Sequence, residues 1–465
     1  MVTGTGCQES TEFWAVSQAA PLRSVHINGG DLFLFDYCTS PGYSSGGFIA
    51  NSEFTGAGDQ VVNGSQQQWV TRNSDLDGWS NSVWNQVFCG DPGAPAQSFG
   101  VVSGTQYTTL GTCPLTEEEP FLYTGSNGSY SVFVPAVQHN SSGPTWTSGT
   151  EAGTSIPLSK FFVASPGTSV LAINIALALG KDLILTPGVY HLDQPILVSR
   201  PDTVVLGLGM ATLVPQRGNA AMVVLSNNGV KLSGMIIDAG PVNSPVLLSV
   251  GTPGPSNASD PDLIQDVFFR IGGAETTPVS ATVSLLDNAS NSIIDNIWAW
   301  RADHGNAVGW TVNRADTGVA VTGNNVTAYS LAVEHYQKNE VIWSGQGGTD
   351  IFFQNELPYD PPSQSAWNAS PTQEGYPSFL VTNNVKSFQG YGMGSYIVFI
   401  QTTATLFDAE AFQAPKTPGV QFHDLLVVYL GGTGGDNSII NGVGGPVTST
   451  SNPGIGTPVN LVSYP

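Results

Sequence analysis

A repeated alternation of turns and short strands runs through the chain from about residue 203 to residue 430. Turn-forming residues precede the apolar runs, and we take Asn291, Asn325, Asp350 and Asn384 as equivalent turn positions. Their spacings are 34, 25 and 34 residues, and the shortest has the size of one rung of a parallel β-helix, with loops stretching the others. Because no rung is stable alone, the repeat favours a stack of parallel strands around a continuous apolar column.

The sequence therefore predicts an all-β fold built as a parallel β-helix. An array of β-sandwiches is the alternative, but it explains the single-direction repeat less well. Residues 1–135 read as an N-terminal β-helix domain of short strands, residues 136–165 as a small, polar linker rich in Pro and Gly, and residues 166–465 as a C-terminal β-helix domain. One helix is expected, as the end cap of the second domain. It starts after Ser169 with VLAINIALALGK and ends at Gly180.

Composition excludes several classes of function. Only 10% of the residues are charged, and 13 Lys and Arg stand against 35 Asp and Glu, for a net charge of −22. Nucleic-acid binding needs a basic stripe that the sequence lacks, and an anionic membrane surface would repel the chain. The 40% of hydrophobic residues argues against disorder. We expect a turn-rich globular protein with a polar, weakly charged surface.

The cysteines point to an oxidising compartment. Cys7, Cys38, Cys89 and Cys113 lie in the first quarter, and their spacing does not resemble a zinc site. An even count fits one or two disulfides, with the connectivity left open and buried free thiols as the alternative. The first residues show no signal peptide, and no apolar stretch is long enough to span a membrane. An extracellular protein in its mature or a trimmed form is expected.

Counting from the turn positions predicts which side chains stack. Position nine is Trp300 after Asn291, Glu334 after Asn325 and Tyr359 after Asp350, while position ten gives the ionisable residues Arg301, His335 and Asp360. Equivalent positions lie about 4.8 Å apart from rung to rung. Two aromatic rings and a carboxylate in one column are typical of a sugar-binding wall. The alternative interpretation is a solvated face that carries a few exposed aromatic residues.

Glu356 is the candidate proton donor. By the same count it shares a column with Ile297 and Leu331, and apolar neighbours raise the pKa of a carboxyl group, as a general acid requires. The alternative is that the strand bends at Leu357-Pro358 and Glu356 faces water. Neither His304 nor His335 belongs to a recognisable metal or Ser/His/Asp motif, so both are interpreted as hydrogen-bonding residues beside a sugar or inside a turn.

Over most of its length the chain resembles glycoside hydrolase family 55, the β-1,3-glucanases built from two right-handed β-helices side by side. The resembling strings include LILTPGVYHL, IWAWRADHGNAVGW, GNNVTAYSLAVEHY and FFQNELPYDPP. The resemblance implies a right-handed, pectate-lyase-like β-helix fold and an inverting reaction in the cleft between the two helices. Compared with the family, the chain is expected to lack the start of the first β-helix, and it has Asp360-Pro361-Pro362 after the Glu-X-Pro-Tyr string.

The resemblance also assigns residues. It implies Glu356 as general acid, Glu334 as a second carboxylate, and Gln18 and Ser45 of the first β-helix as the holders of the attacking water. It places Trp300 and Tyr359 against the substrate, while His335, Asp303 and His304 are added as substrate-binding candidates from their own chemistry, as hydrogen-bonding side chains beside the sugar. No metal and no cofactor is implied.

The sequence thus predicts a secreted, metal-independent, inverting, exo-acting β-1,3-glucan hydrolase that acts as a monomer on a neutral polysaccharide. Two alternatives stay open at this point. A non-catalytic glycan-binding or adhesion β-helix would bind a glucan without cleaving it. A polysaccharide lyase on the same fold would need a Lys or Arg base and usually a calcium-binding Asp cluster, whereas the chain has only 13 Lys and Arg and an acidic surface that would repel polyuronates.

Overall fold

The computed structural model describes residues 11–35, 38, 46–56, 61–64, 68–82, 84–102, 104–451 and 454–465. Between residues 11 and 110, the described part of the chain forms short parallel strands that we call the first coil. Its strands are β1 (Thr11–Phe13), β2 (Pro21–Arg23), β3 (His26–Asn28), β4 (Asp31–Phe33), β5 (Phe48–Ala50), β6 (Glu53–Thr55), β7 (Val61–Val62), β8 (Gln68–Arg72), β9 (Trp79–Ser80), β10 (Asn85–Cys89) and β11 (Tyr107–Leu110). They form three sheets, in the orders β1-β4-β7-β9, β2-β5-β8-β10-β11 and β3-β6.

Five antiparallel strands connect the first coil to the rest of the chain. They are β12 (Cys113–Thr116), β13 (Phe121–Thr124), β14 (Tyr130–Pro135), β15 (Gln138–Ser141) and β16 (Gly153–Pro157), followed by a 3-10 helix, Leu158–Lys160. Strand β12 pairs with β15, and β14 pairs with both β13 and β16. The segment 136–165, expected as a linker, therefore includes strands, and the division at 135 and 165 stays a prediction.

Residues 161–464 form a second stack of parallel strands, the second coil. Its elements are β17 (Phe161–Ala164), α1 (Val170–Ala178), β18 (Asp182–Leu185), β19 (Val189–Leu192), β20 (Ile196–Val198), β21 (Val204–Pro215), β22 (Met222–Val224), β23 (Lys231–Asp238), β24 (Ser244–Val250), β25 (Leu263–Ile271), β26 (Val279–Asp287), β27 (Ile293–Arg301), β28 (Asn313–Val321), β29 (Thr327–Glu334), β30 (Val341–Trp343), β31 (Gly348–Glu356), a 3-10 helix (Gln364–Ala366), β32 (Phe379–Val381), β33 (Phe388–Val398), β34 (Leu406–Asp408), β35 (Phe412–Gln413), β36 (Val420–Gly431), β37 (Gly434–Asp436), β38 (Val447–Thr448) and β39 (Pro458–Tyr464).

Successive strands of the second coil alternate between sheets, as the rungs of a β-helix require. The longest sheet runs β17-β18-β21-β23-β25-β27-β29-β31-β33-β36-β39, with β19 beside β21, and the second runs β20-β22-β24-β26-β28-β30-β32-β35. A third, short sheet is β34-β37-β38. The pairings along the long sheet are parallel until β39, which closes the sheet in the antiparallel direction. The predicted all-β parallel β-helix fold is confirmed.

The predicted helix caps the second coil. Ser169 is its N-cap, with its hydroxyl accepting from the backbone N–H of Ala172, and Gly180 follows its end in the left-handed region with φ of 88°. The buried residues of α1 cover the open end of the apolar column. They are Val170, Ile173, Ala176 and Leu177.

The interior of the second coil is a ladder of aligned apolar side chains. Strand register places Val267, Ile297, Leu331, Phe353 and Met393 in line, and all five are fully buried. Each contributes roughly 1.5–3 kcal/mol by burial. The predicted column of buried parallel strands is therefore present.

Each long strand from β23 to β36 contains one residue with a left-handed backbone conformation, which bends the strand. These residues occupy equivalent positions in the strand register. The seven residues have φ between 48° and 77° and succeed one another in register from β23 to β36. They are Gly234, Asp266, Asn296, Ser330, Phe352, Gly392 and Asp424. Small and polar residues predominate because they tolerate this conformation. The bends form a corner that packs against the first coil.

Buried charges join the two coils along this corner. Arg23 bonds Asp266 at 2.7 Å and Asp295 at 3.1 Å, and Arg72 bonds Asp295 at 2.9 Å and Glu118 at 2.6 Å. Burial alone would raise the pKa of Asp295, but the two guanidinium groups outweigh it and lower that pKa. The pairing of these buried groups fixes how the coils face each other.

Apolar contacts complete the connection between the two coils, and a disulfide ties the first coil to the antiparallel strands that follow it. A buried cluster combines Phe48 and Val70 of the first coil with Tyr329, Ile351 and Phe352 of the second. Cys89 is disulfide-bonded to Cys113, which ties β10 to β12, and Cys38 is also disulfide-bonded. None of the described cysteines is free, so the predicted disulfides are confirmed; Cys7 lies outside the described residues.

Two of the four turn positions taken as equivalent are correct. Asn291 and Asn325 have φ of 59° and 55°, and the Asn325 side chain donates to that of Asn291 at 3.1 Å. The next equivalent residue is Gly347, with φ of 68°, because Ala328 pairs with Asp350 inside the strands. Counting from Asp350 was therefore wrong by three residues, and Asn384 is displaced in the same way because Gly348 pairs with Phe388.

Within the described ranges, no helix has the length and hydrophobicity needed to cross a bilayer.

Candidate active site

The site lies where three successive rungs of the second coil face the first coil. Ile297 and Ala299 point into the core, so the alternating residues of β27, Trp298 and Trp300, face outward. Their rings stack with centroids 5.2 Å apart. Strand register places Glu334 directly beside Trp300 on the next rung, as the count predicted.

Glu334 is buried at the end of β29 with both carboxyl oxygens engaged. The indole N–H of Trp298 donates to its Oε2 at 2.8 Å, and the Gln354 amide donates to its Oε1 at 3.0 Å. Burial first, and then the negative charge of Glu356, raise the pKa of Glu334 well above its ordinary value. Glu334 is therefore held in a fixed position in the wall of the site. A ligand in the cleft would contact the residues around Glu334 and not its buried carboxyl group.

Glu356 ends the next strand, β31, and stands beside Glu334. Register pairs Ala332 with Gln354, and the N–H of His335 donates to the carbonyl of Glu356 at 2.8 Å, which extends the pairing to the two glutamates. The predicted column of Glu356 with Ile297 and Leu331 is wrong, because Leu331 pairs with Phe353. The count placed Glu334 at position nine and Glu356 in the column of position six, three residues apart, and it fails for the same reason.

Tyr359 lies beyond the strand, outside the column predicted for it. Its hydroxyl donates to Oε2 of Glu356, and its ring packs edge-on against His335 with centroids 4.4 Å apart. Burial, followed by the charge of Glu356, raises the pKa of Tyr359 above its usual value, so the hydroxyl stays a donor. Tyr359 thus reaches the site by the bend of the chain after Leu357-Pro358.

Asp303, His304 and His335 form a polar group behind Trp300. Oδ1 of Asp303 accepts from the indole N–H of Trp300 at 3.2 Å and lies 2.8 Å from Nδ1 of His304. Nε2 of His335 lies 3.7 Å from the same oxygen and 3.9 Å from Oε2 of Glu356. His304 is largely exposed, whereas His335 is buried.

The first coil forms the opposite wall. A cavity of about 270 Å³ is bounded by Gln18 on one side and by Trp298, Trp300 and Phe268 on the other. Gly46 lies between Gln18 and Gln354, since a Cβ there would come within 3.1 Å of the former and 3.3 Å of the latter. Gln18 therefore faces the predicted site, while Ser45 lies outside the described residues.

Sequence reasoning assigned no site role to four residues that hold the site in place. Trp298 and Gln354 each donate a hydrogen bond to Glu334. Each lies two residues before a predicted site residue on its strand, and this spacing places the two side chains on the same face of the strand. Arg301 and Asp360 were predicted only as an ionisable column. Arg301 binds both carboxyl oxygens of Asp360 at 2.9 Å and donates to the carbonyl of His335 at 3.1 Å.

The carboxyl groups of the site can transfer a proton to a ligand in a cleft that is lined by aromatic rings. Within the described residues, no cluster of three or more His, Cys, Asp or Glu side chains could hold a metal ion. A carboxyl group beside stacked indoles suits glycosidic bond cleavage, in which a carboxylic acid protonates the leaving oxygen.

Comparisons with known proteins agree on the family. A family model described as the LAM55 pectate lyase-like domain matches residues 161–356, which include both glutamates. An exo-beta-1,3-glucanase of Streptomyces sp. (strain SirexAA-E / ActE) is 48% identical over 457 residues, covering 98% of this chain and 73% of that protein. The structure of sacteLam55A from Streptomyces sp. SirexAA-E matches with a TM-score of 0.92 and 47% identity over 98% of this chain and 80% of that one. A Glu-to-Ala variant of sacteLam55A in complex with glucose matches with a TM-score of 0.91 and 46% identity, with the same coverage of both chains.

Proposed function

The chain belongs to glycoside hydrolase family 55, the β-1,3-glucanase family, and on that premise we propose that it hydrolyses β-1,3-glucan from the chain end with inversion at the anomeric carbon. The named relative is an exo-acting hydrolase, so neither the lyase nor the glycan-binding alternative has support. A neutral glucan also suits a cleft walled by Trp298 and Trp300. The observation that carries the proposal is Glu356 at the end of β31, partnered by Tyr359 and Glu334.

Glu356 is the general acid in this proposal. It gives its proton to the glycosidic oxygen as the bond to the anomeric carbon breaks, and it is left as a carboxylate. The hydroxyl of Tyr359 donates to Oε2 of Glu356 and so stabilises that carboxylate.

Glu334 is assigned to positioning and not to the base. Inverting enzymes separate acid and base by roughly 6.5–9.5 Å across the sugar ring, to leave room for water. Glu334 and Glu356 instead lie side by side on neighbouring strands of one wall, about 4.8 Å apart at the backbone. The attacking water must come from the opposite wall, where Gln18 lies and where Ser45 is assigned by the family resemblance.

Trp300 and Tyr359 would contact the sugar ring, and Trp298 extends the same wall. Indole faces suit the CH faces of a pyranose, and a neutral substrate explains why the site needs no cationic clamp. The proposal also holds that the protein acts as a monomer outside the cell on a polysaccharide, without metal or cofactor.

Laminarin hydrolysis tests the proposal directly. Purified protein should release glucose from laminarin, and the α-anomer should appear first by NMR, because inversion of a β-linkage gives α-product. Glu356→Gln should lower kcat by about 10²–10⁴-fold while laminarin binding persists.

The matched control is Glu374→Gln, whose exposed carboxyl accepts a hydrogen bond from Asn437 at the surface. It should leave kcat unchanged. Equal rates for the wild type and Glu356→Gln would exclude Glu356 as proton donor, and first release of the β-anomer would exclude inversion.

A further inference from the structure

We infer that His335, Asp303 and the exposed His304 form a chain that returns a proton to Glu356 after each cleavage. The inference rests on the proposed function, because it takes Glu356 as the general acid. It assigns to these three residues a role in proton supply in place of direct sugar binding.

Turnover creates the need for such a chain. Each hydrolysis moves the proton of Glu356 to the leaving oxygen, while the attacking water gives up a proton at the opposite face of the sugar. Glu356 must recover a proton before the next cycle, yet only 10% of its side chain is exposed and the cleft holds product at that moment. A route through the protein wall avoids the occupied cleft.

His335 is placed to make the last transfer. Its Nδ1 lies 3.2 Å from the carbonyl oxygen of Leu357, which only accepts, so Nδ1 carries a hydrogen and Nε2 is the nitrogen that gains and loses the proton. Nε2 lies 3.9 Å from Oε2 of Glu356, about 1 Å beyond hydrogen-bond distance. Catalytic hydrogen bonds are often this long before substrate binds.

Asp303 links His335 to the surface. Its Oδ1 lies 3.7 Å from Nε2 of His335 and 2.8 Å from Nδ1 of His304, whose side chain is 77% exposed. The indole N–H of Trp300 holds the same oxygen at 3.2 Å. Three steps of 2.8, 3.7 and 3.9 Å therefore lead from solvent to the buried acid, and the two longer ones must shorten for a proton to pass.

The neighbouring groups hold this geometry. Arg301 donates to the backbone carbonyl of His335 and is itself neutralised by Asp360. Tyr359 packs on the imidazole edge, and the remaining carboxylates nearby are Glu334 and Glu340, the latter bonded to the N–H of Tyr336. His335 thus has carboxylates on two sides, and Arg301 contacts its backbone, away from the imidazole.

The transfer conserves atoms and charge. Imidazolium Nε2–H of His335 gives its proton to Oε2 of Glu356, which forms the carboxylic acid and leaves neutral imidazole. Protonated His304 gives its proton to the Asp303 carboxylate, which passes it to Nε2 of His335, and His304 regains a proton from a hydronium ion or buffer acid. The proton that the attacking water releases to solvent balances this uptake. No other reactant is needed.

The test uses His335→Asn and Asp303→Asn on laminarin over a series of acetate and imidazole buffer concentrations at constant pH and ionic strength. Asn tolerates the left-handed backbone of His335, which has φ of 66°. Asn at position 303 keeps an oxygen for Trp300 and His304 but cannot carry a proton. Both variants should lose about 10- to 100-fold in kcat with KM within about threefold, and kcat should rise with buffer concentration.

His191→Asn is the matched control, because His191 is an exposed histidine bonded to Gln216 on the second coil; its kcat should match the wild type at every buffer concentration. A rise in KM at unchanged kcat, or a loss of kcat that buffer does not restore, would overturn the chain. If His335→Asn does not fold, as judged by circular dichroism, Asp303→Asn carries the test. A wild type inactive on laminarin would refute the proposed function instead.

Discussion

Trp298 donates its indole N–H to Oε2 of Glu334 over 2.8 Å, from one rung of the second coil to the next. The same ring stacks on Trp300 in the cleft wall. One side chain therefore shapes the surface offered to a sugar and also fixes the carboxyl group that neighbours Glu356. The aromatic wall and the acid site are therefore coupled by the single hydrogen bond from Trp298 to Glu334.

Trp298→Phe separates these two roles, since it keeps an aromatic ring but removes the N–H. Glu334 would then lose one of its two side-chain donors in a buried place, at a cost of about 1–3 kcal/mol. We expect kcat on laminarin to fall about tenfold with a smaller change in KM. Trp79→Phe, which removes an exposed indole bond to Asn81, is the control. A change confined to KM would show that the indole serves only as a wall.

Tyr359→Phe removes the hydroxyl that donates to Glu356 while retaining the ring that packs on His335. A hydrogen bond to a charged group contributes about 1.5–3 kcal/mol, so the developing carboxylate should be less stable and kcat about 10- to 100-fold lower. Steady-state kinetics on laminarin checks this, with Tyr391→Phe, whose hydroxyl lies 3.4 Å from Gln389, as control. An unchanged kcat would mean that Tyr359 serves Glu356 only as a packing partner.

The sequence was sufficient to place Trp300 beside Glu334, but not Glu334 beside Glu356. The first relation was predictable because Asn291 and Asn325 both adopt the left-handed turn at equivalent positions. At the next rung the turn is made by Gly347, and a glycine leaves no side-chain signature in a chain with 55 of them. The error of three residues then propagated to Tyr359.

The contacts between the coils could not be predicted from sequence. Arg23 and Asp266 are 243 residues apart, and nothing local marks either as a partner for the other. Their pairing follows from the left-handed corner of the second coil, where Asp266 is one of seven aligned residues. Only the assembled stack shows that this corner faces the first coil.

Arg72→Met tests how much this interface stabilises the fold. The change would leave Glu118 without its bidentate partner and Asp295 with only one of its two arginines, all of them buried. Breaking a buried ion pair costs about 3–5 kcal/mol, so the free energy of unfolding in guanidinium chloride should fall by that amount. Lys338→Met, which breaks an exposed pair with Asp316, should cost less than about 1 kcal/mol. Equal effects of the two changes would contradict the importance assigned to Arg72.

Acidification from pH 8 to pH 5.5 should stabilise the protein. Burial is the largest cause that raises the pKa of Glu117, Glu119, Asp262 and Asp287, each to about 7. Their unfolded pKa values are about 3.9–4.3, so the folded state binds protons that the unfolded state does not bind between those values and pH 7. Stability from these groups is complete below the unfolded pKa and is lost as the pH rises through 7. The free energy of unfolding should therefore be larger at pH 5.5, by at least about 2 kcal/mol.

Asp287→Asn isolates one of these groups. Asp287 is fully buried and accepts hydrogen bonds from Ser292 at 2.5 Å and from the N–H of Ala289 at 3.0 Å. An amide at this position can still accept but cannot titrate, so the gain in stability between pH 8 and pH 5.5 should shrink by about 1–2 kcal/mol. Asp316→Asn, at an exposed site, should leave the pH dependence as in the wild type. Parallel curves for Asp287→Asn and the wild type would show that Asp287 takes up no proton in this range, and the stabilisation would then have to come from the other three carboxyl groups.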